Sequence, residues 1–364
     1  MIKRKNIQLL FCLCLLLLSG CSSKEEKEIR HVVEQELDGL KNTDPQTVRD
    51  YLDAEEIFSD FTEEDDSSSD IAEIFTLFYQ NFSYNIKKVN ADENHADVKL
   101  KITTLNMQEL AKDYMTESLK KRISLDATPS SVDFSLNDSY LLLEDLLKTK
   151  EYETAESTVL IELEKNDKTW EICRTKELDD ALTGNFRQYM MDSSLLSPSE
   201  IVEIHFQTIK DFDSEQLKIY LSLDQLLDTD TEYNRAVAHA IAEQINRVFD
   251  YKILSEEIDG TEATVTTSIT SVNSQSTLDH YSESLSAWLE TSESLAVGED
   301  GRREKERELL LSSIESSSDT TTRKINIHLE NDGVNWKIQM DSEIAQAVFG
   351  DIQTAMDDVS QDVE

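Results

Sequence analysis

The sequence predicts an α+β protein of two tandem homologous domains, each a roughly four-stranded antiparallel sheet packed with helices. Three observations lead there. Blocks of the first half recur in the second in the same order: residues 32–52 align with 201–221, 82–106 with 249–273 and 158–186 with 324–352. In the second and third blocks apolar and polar residues alternate, the period of a strand with one buried face. Around them, apolar residues three and four apart mark helices with one apolar stripe. A repeat this long exceeds any solenoid unit, so it is a whole domain copied once.

Each element can be justified in turn. The first block shares Val33/Val202, Glu34/Glu203, Lys41/Lys210, Asp44/Asp213, Tyr51/Tyr220 and Leu52/Leu221. Its helical spacing over 29–41 and 199–210 gives one helix, and the Asp at 44 and 213 starts a second that ends near 52 and 221. A third helical stretch covers about 70–81 and 235–248. Strands follow at 82–90 and 95–105, sharing Phe82/Phe249, Tyr84/Tyr251, Ile86/Ile253, Val98/Val265 and Ile102/Ile269. The turn between them is Ala91-Asp92-Glu93-Asn94 in one copy and Ile258-Asp259-Gly260-Thr261 in the other, and Asp-Gly is a strong hairpin signal. Helical inserts over 106–149 and 273–317 share little sequence. Strands at 155–164 and 168–174 and a closing helix from Glu177 carry Trp170/Trp336 and Gly184/Gly350. Ser197, Pro198 and Glu200 read as a capping box with proline at the first helical position, so the expected boundary falls near 193–198.

Of the 364 residues, 75 are Asp or Glu and 35 Lys or Arg, a formal charge of -40. That balance excludes nucleic acid as a natural partner and argues against docking on anionic headgroups through the folded surface. At the N-terminus, Lys3, Arg4 and Lys5 precede an apolar run over 7–18 that is short for a membrane span. The run ends in Leu18-Ser19-Gly20-Cys21. This sequence resembles the lipobox of bacterial lipoproteins. The resemblance implies cleavage before Cys21, acylation of its thiol, and a membrane partner reached through that lipid on the extracytoplasmic face. The expected organisation is therefore a signal peptide over 1–20, lipidated Cys21 with a polar tether over 21–28, and repeats over 29–194 and 195–364. The mature chain keeps Cys173 as its one unmodified cysteine, which excludes an intramolecular disulfide.

The Phe-x-Tyr-x-Ile strand, the Ala-x-Val-x-x-x-Ile strand and the acidic turn before each tryptophan resemble a class of bacterial lipoprotein domains. Those domains are similar to the cone fold of nuclear transport factor 2 and ketosteroid isomerase (NTF2-like). The matching residues are core and turn positions, so the resemblance implies a fold and transfers no active-site residue.

Candidate chemistry is sparse. None of the six histidines recurs in both copies: His205, for instance, pairs with Glu36. Asp44 and Asp213 sit where helix N-caps belong, and Asp92 and Asp259 occupy turns. Tyr84/Tyr251 and Tyr51/Tyr220 could donate hydrogen bonds in a ketosteroid-isomerase-like pocket, but no base recurs beside them. Asp228-Thr229-Asp230-Thr231-Glu232 begins like a calcium loop, yet Tyr233 stands where the sharp-turn glycine belongs. The acidic run at 63–66 reads as a solvated loop. No zinc-type Cys/His cluster, phosphate loop, dinucleotide turn or nucleophile elbow is present. Trp170 and Trp336 read as hairpin core, Cys173 as a small core residue, and Trp288 in the second insert as the aromatic most suited to a partner surface. The expectation is a lipid-anchored, non-catalytic binding or adaptor protein for an extracytoplasmic protein or small ligand, with no cofactor, no metal and no catalytic residue. The alternatives are an enzyme with an acid/base pocket in one repeat and a structural envelope component.

Overall fold

The computed structural model describes residues 24–44, 71–129 and 133–350. It contains two four-stranded antiparallel sheets, in strand order β1-β2-β3-β4 and β5-β6-β7-β8. Contacts divide the described chain into two compact units: residues of Met1–Ala111 and Leu136–Tyr189 form the first, those of Lys112–Ser135 and Met190–Glu364 the second.

In the first unit, helix α1 (Lys24–Lys41) buries Ile29, Val33, Leu37 and Leu40, one apolar stripe at helical spacing. It begins inside the segment expected to be a tether. Glu25 and Glu26 favour a helix N-terminus, and the Arg30–Glu26 and Lys24–Glu28 pairs at i,i+4 support the first turns. Helix α2 (Ile71–Phe78) leads into β1 (Ser83–Ala91) and β2 (His95–Leu105), then α3 (Met107–Asp126), α4 (Leu136–Thr149), β3 (Thr154–Asn166), β4 (Thr169–Ile172), α5 (Lys176–Leu182) and α6 (Phe186–Met190). Along β2, Ala96, Val98, Leu100 and Ile102 are buried, with exposed or half-buried residues between them. The expected second helix of this copy, from Asp44 to Leu52, lies largely outside the described residues.

The second unit repeats the plan. Helices α7 (Pro198–Lys210), α8 (Ser214–Tyr220), α9 (Leu223–Leu226) and α10 (Glu232–Val248) precede β5 (Asp250–Asp259) and β6 (Glu262–Val272). Helices α11 (Ser274–Leu289), α12 (Ser292–Ala296) and α13 (Glu299–Ser316) follow, then β7 (Thr320–Asn331), β8 (Trp336–Ile338) and α14 (Ser342–Phe349). The Ser197 hydroxyl accepts from Glu200 N, and the Glu200 carboxylate accepts from Ser197 N at 2.8 Å, which completes the expected capping box. Asp213 caps α8 the same way with Gln216. The first strand of each sheet carries a register shift at the same place, between Ile86 and Lys88 and between Ile253 and Ser255, so even the bulge is duplicated.

The shared glycines close both copies. Gly184 and Gly350 each adopt a left-handed φ. A Cβ on Gly350 would lie 2.2 Å from the Val272 carbonyl oxygen, and one on Gly184 would lie 2.6 Å from Met107 Cγ. The Ser271 hydroxyl donates to Val348 O, and Ser274 Oγ donates to Gly350 O, so the end of α14 is tied to the end of β6 and the start of α11.

One part of the first copy's insert does not stay with its own repeat. The described residues of 112–135 group with the second unit, where Ile123 and Ala127 enter a core that includes Ile201, Phe206, Ile241, Val265, Ile327 and Trp336. Lys112 also pairs with Glu200 at 2.5 Å. Sequence alignment of the copies cannot show this, because the apolar positions of an insert do not reveal which core they fill.

Candidate functional site

The lipobox residues Leu18, Ser19 and Gly20 and the expected attachment residue Cys21 lie outside the described residues. Most of the other singled-out groups hold backbone or core positions. Asp92 accepts from Asn94 N and His95 N, and those backbone hydrogen bonds hold its carboxyl below the usual range. Tyr84 donates to Asp38 at 2.8 Å and Tyr251 to Glu203 at 2.9 Å, so the shared strand tyrosine ties β1 or β5 to the first helix of its own unit. Burial and these carboxylate neighbours push both phenols up. Cys173 is half-buried and its thiol is pushed up by burial and by Glu164 and Glu162, the opposite of an activated nucleophile.

The calcium-like loop is closed on itself. Asn234 donates to the carbonyls of Leu227 and Asp228, and Arg235 donates to those of Thr229 and Asp230. Among the described residues no three His, Cys, Asp or Glu side chains cluster as a metal site would need. Trp170 and Trp336 are buried as expected. Trp288 departs from expectation: only 7% exposed, it is buried and presents no partner surface. Its neighbours Leu289 and Leu295 are the exposed apolar residues there, Leu295 at 87%.

The groups that do converge lie in the second unit. Helix α7 places His205, Phe206 and Ile209, and α8 with its C-cap places Tyr220 and Leu221. Met340 and α14 place Ile344, Ala345, Val348 and Phe349, with Asp126 at the end of α3. Together they line an open depression of about 360 Å³, apart from Asp126, His205 and Tyr220 wholly apolar. That volume falls in the range of small-molecule sites. Tyr220 Oη lies 3.1 Å from His205 Nε2, and the rings of Phe206 and Tyr220 meet His205 edge-on. Burial lowers the His205 pKa to about 4, so the imidazole is neutral at physiological pH. Burial, with the Asp126 charge nearby, raises the Tyr220 phenol to about 12. The pair therefore offers one hydrogen-bond donor and one acceptor, without net charge, on an apolar wall.

The first copy differs at this place. By the repeat alignment, Met340 and Ala345 correspond to Arg174 and Asp179, and His205 to Glu36. Arg174 and Asp179 form an ion pair at 3.1 Å. Where the first unit closes the start of α5, the counterpart of α14, with an ion pair, the second leaves apolar side chains, Met340 being 57% exposed.

No family profile matches this chain, and no curated protein does. A solved structure from Bacillus subtilis, provisionally described as the lipoprotein ycdA, aligns over 74% of this chain and 94% of its own at 12% identity, with a TM-score of 0.27. A superposition this loose carries no structural argument. Among the described residues no helix is long and apolar enough to cross a membrane.

Proposed function

We propose that this chain is a lipid-anchored, extracytoplasmic, non-catalytic binding protein. The observation that carries the reading is the N-terminal segment: a basic start, a short apolar run and Leu18-Ser19-Gly20-Cys21 at its end. The duplicated scaffold supports the non-catalytic part. What the copies share is core, cap and turn residues, whereas the single recessed histidine belongs to one copy and has a phenol, not a carboxylate, as its hydrogen-bond partner. Kinship with the NTF2-like cone belongs to the same proposal, supported by a helix-packed four-stranded antiparallel sheet in each unit.

Fractionation of cells carrying the full-length chain or Cys21→Ala tests the anchor. The native chain is expected in the membrane fraction, carrying metabolically incorporated fatty acid and accessible to protease added to wall-stripped cells, whereas the variant should carry no lipid and keep the mobility of the uncleaved chain. A native chain without lipid, or lipid retained by the variant, would overturn the reading, as would a native chain shielded from protease. Partner capture should use Leu289→Glu and Leu295→Glu rather than removal of an insert, because α3 contributes to a core.

A further inference from the structure

We propose that the depression of the second unit binds a small uncharged amphiphile, an apolar chain or ring bearing one hydroxyl or N–H amide group, with that group on His205 and Tyr220. The inference takes the binding-protein reading as its starting point and supplies the chemical class of ligand.

Four observations converge on this class. The lining is apolar on α7, α8 and α14, so the body of the ligand is apolar. Its volume, about 360 Å³, suits a small molecule and is far smaller than the footprint of a protein partner. The polar element facing it is a neutral imidazole–phenol pair, which leaves one donor and one acceptor and so matches a group that can both accept and donate. An ammonium would bring three donors to that pair and lose its hydration. A carboxylate would meet no Lys or Arg in the lining, would lie near Asp126, and would enter the field of a chain with a formal charge of -40.

The fourth observation is the contrast between the copies. Asp179 and Arg174 occupy the first unit's counterparts of Ala345 and Met340 and pair with each other. An exposed methionine beside a small residue, in place of an ion pair, opens apolar surface that folding alone does not require. Leu178 and Leu182, the counterparts of Ile344 and Val348, stay apolar and buried. Phe349 and His205, whose counterparts are Thr183 and Glu36, differ as well, so the differences gather on side chains that line the depression.

The test uses the mature chain, residues 21–364 with Cys21→Ala, and three probes of one chain length: 1-decanol, decylamine and decanoate. Each displaces a neutral solvatochromic dye, with calorimetry as the second readout. Decanol is expected to bind at least tenfold tighter than decanoate and tighter than decylamine. Ala345→Phe, which fills the depression from a half-buried position, should weaken decanol at least tenfold. Tyr220→Phe, which keeps the ring, should weaken decanol about fivefold; circular dichroism confirms that each variant folds. Decanol binding untouched by Ala345→Phe, decanoate matching decanol, decylamine outranking it, or no displacement by any probe would each overturn the assignment. Failure here, with Cys21-dependent lipidation and partner capture intact, would remove the pocket and leave the anchored binding protein standing.

Discussion

Thr267 stands in the middle of β6, between Ile253 of β5 and Ile325 of β7, with no exposed surface. Its same-face neighbours along the strand are Val265 and Ile269, also buried. Its backbone groups belong to the sheet ladder, and among the described residues its hydroxyl has no hydrogen-bond partner. The repeat alignment pairs it with Leu100, equally buried in β2. Thr267→Val exchanges the hydroxyl for a methyl of similar size and keeps the β-branch. The desolvation penalty of an unpaired buried hydroxyl, about 1–3 kcal/mol, should therefore be recovered as stability. For a unit of this size that corresponds to a rise in Tm of roughly 2–10 °C. Thr267→Leu copies the first unit but adds a methylene to a packed core, so it should gain less or lose. Urea unfolding of the mature chain, followed by tryptophan fluorescence and circular dichroism, measures all three proteins. A Thr267→Val variant no more stable than the parent would refute the reasoning, because it would mean that the hydroxyl is satisfied.

Other consequences are equally direct. Arg187 donates to both carboxylate oxygens of Asp180 at 3.0 Å, and both residues are buried; Arg187→Leu alone should cost about 3–5 kcal/mol, and adding Asp180→Leu should recover most of it, as read in a double-mutant cycle. Gly350→Ala should cost roughly 3 kcal/mol or more through its clash with Val272, whereas Gly260→Ala, with φ +64° and nothing within 4 Å, should cost about 1 kcal/mol. The depressed His205 pKa means that the unfolded chain binds the proton first as pH falls. Stability should therefore be full above pH 6.5 and decline toward pH 4, by about 3 kcal/mol for a fully enclosed ring and nearer 2 for one at an open depression. His205→Phe should flatten that window in urea titrations at stepped pH.

Much of this molecule is legible from its residues because duplication doubles each signal. Alternation along 95–105 and 262–272, the Ser197–Glu200 box and the Asp-Gly turn each reflect one local rule, and each is where that rule places it. The destination of α3 was not legible, since an amphipathic helix states that it needs a core and not whose. Trp288 misled for a related reason: divergence between copies marks freedom from a shared constraint, and a side chain freed in that way can be buried as readily as exposed. His205 carries no signal in a comparison of the copies, which detects only chemistry present twice. Its position became meaningful only when the fold brought α7, α8 and α14 together around it.

The case of His205 indicates where function in a duplicated protein is to be sought. Identities such as Gly184/Gly350 and Tyr84/Tyr251 mark what the scaffold needs in both copies, and a shared residue such as Tyr220 takes on a binding role only beside a difference such as His205. The informative differences are coupled: Arg174 to Met340 and Asp179 to Ala345 change both ends of one ion pair. Restoring the pair in the second unit with Met340→Arg and Ala345→Asp tests whether that loss opened the depression. An exposed pair adds at most about 1 kcal/mol, so unfolding should change little. Dye and decanol binding should nevertheless fall at least tenfold, because charged side chains would cover the apolar wall. The single variant Ala345→Asp keeps Met340 and has no guanidinium to draw the new carboxylate across, so it should retain more binding than the double. If the double variant folds and binds as the parent does, the ion pair in the first unit is a surface detail and the asymmetry between the copies did not make the site.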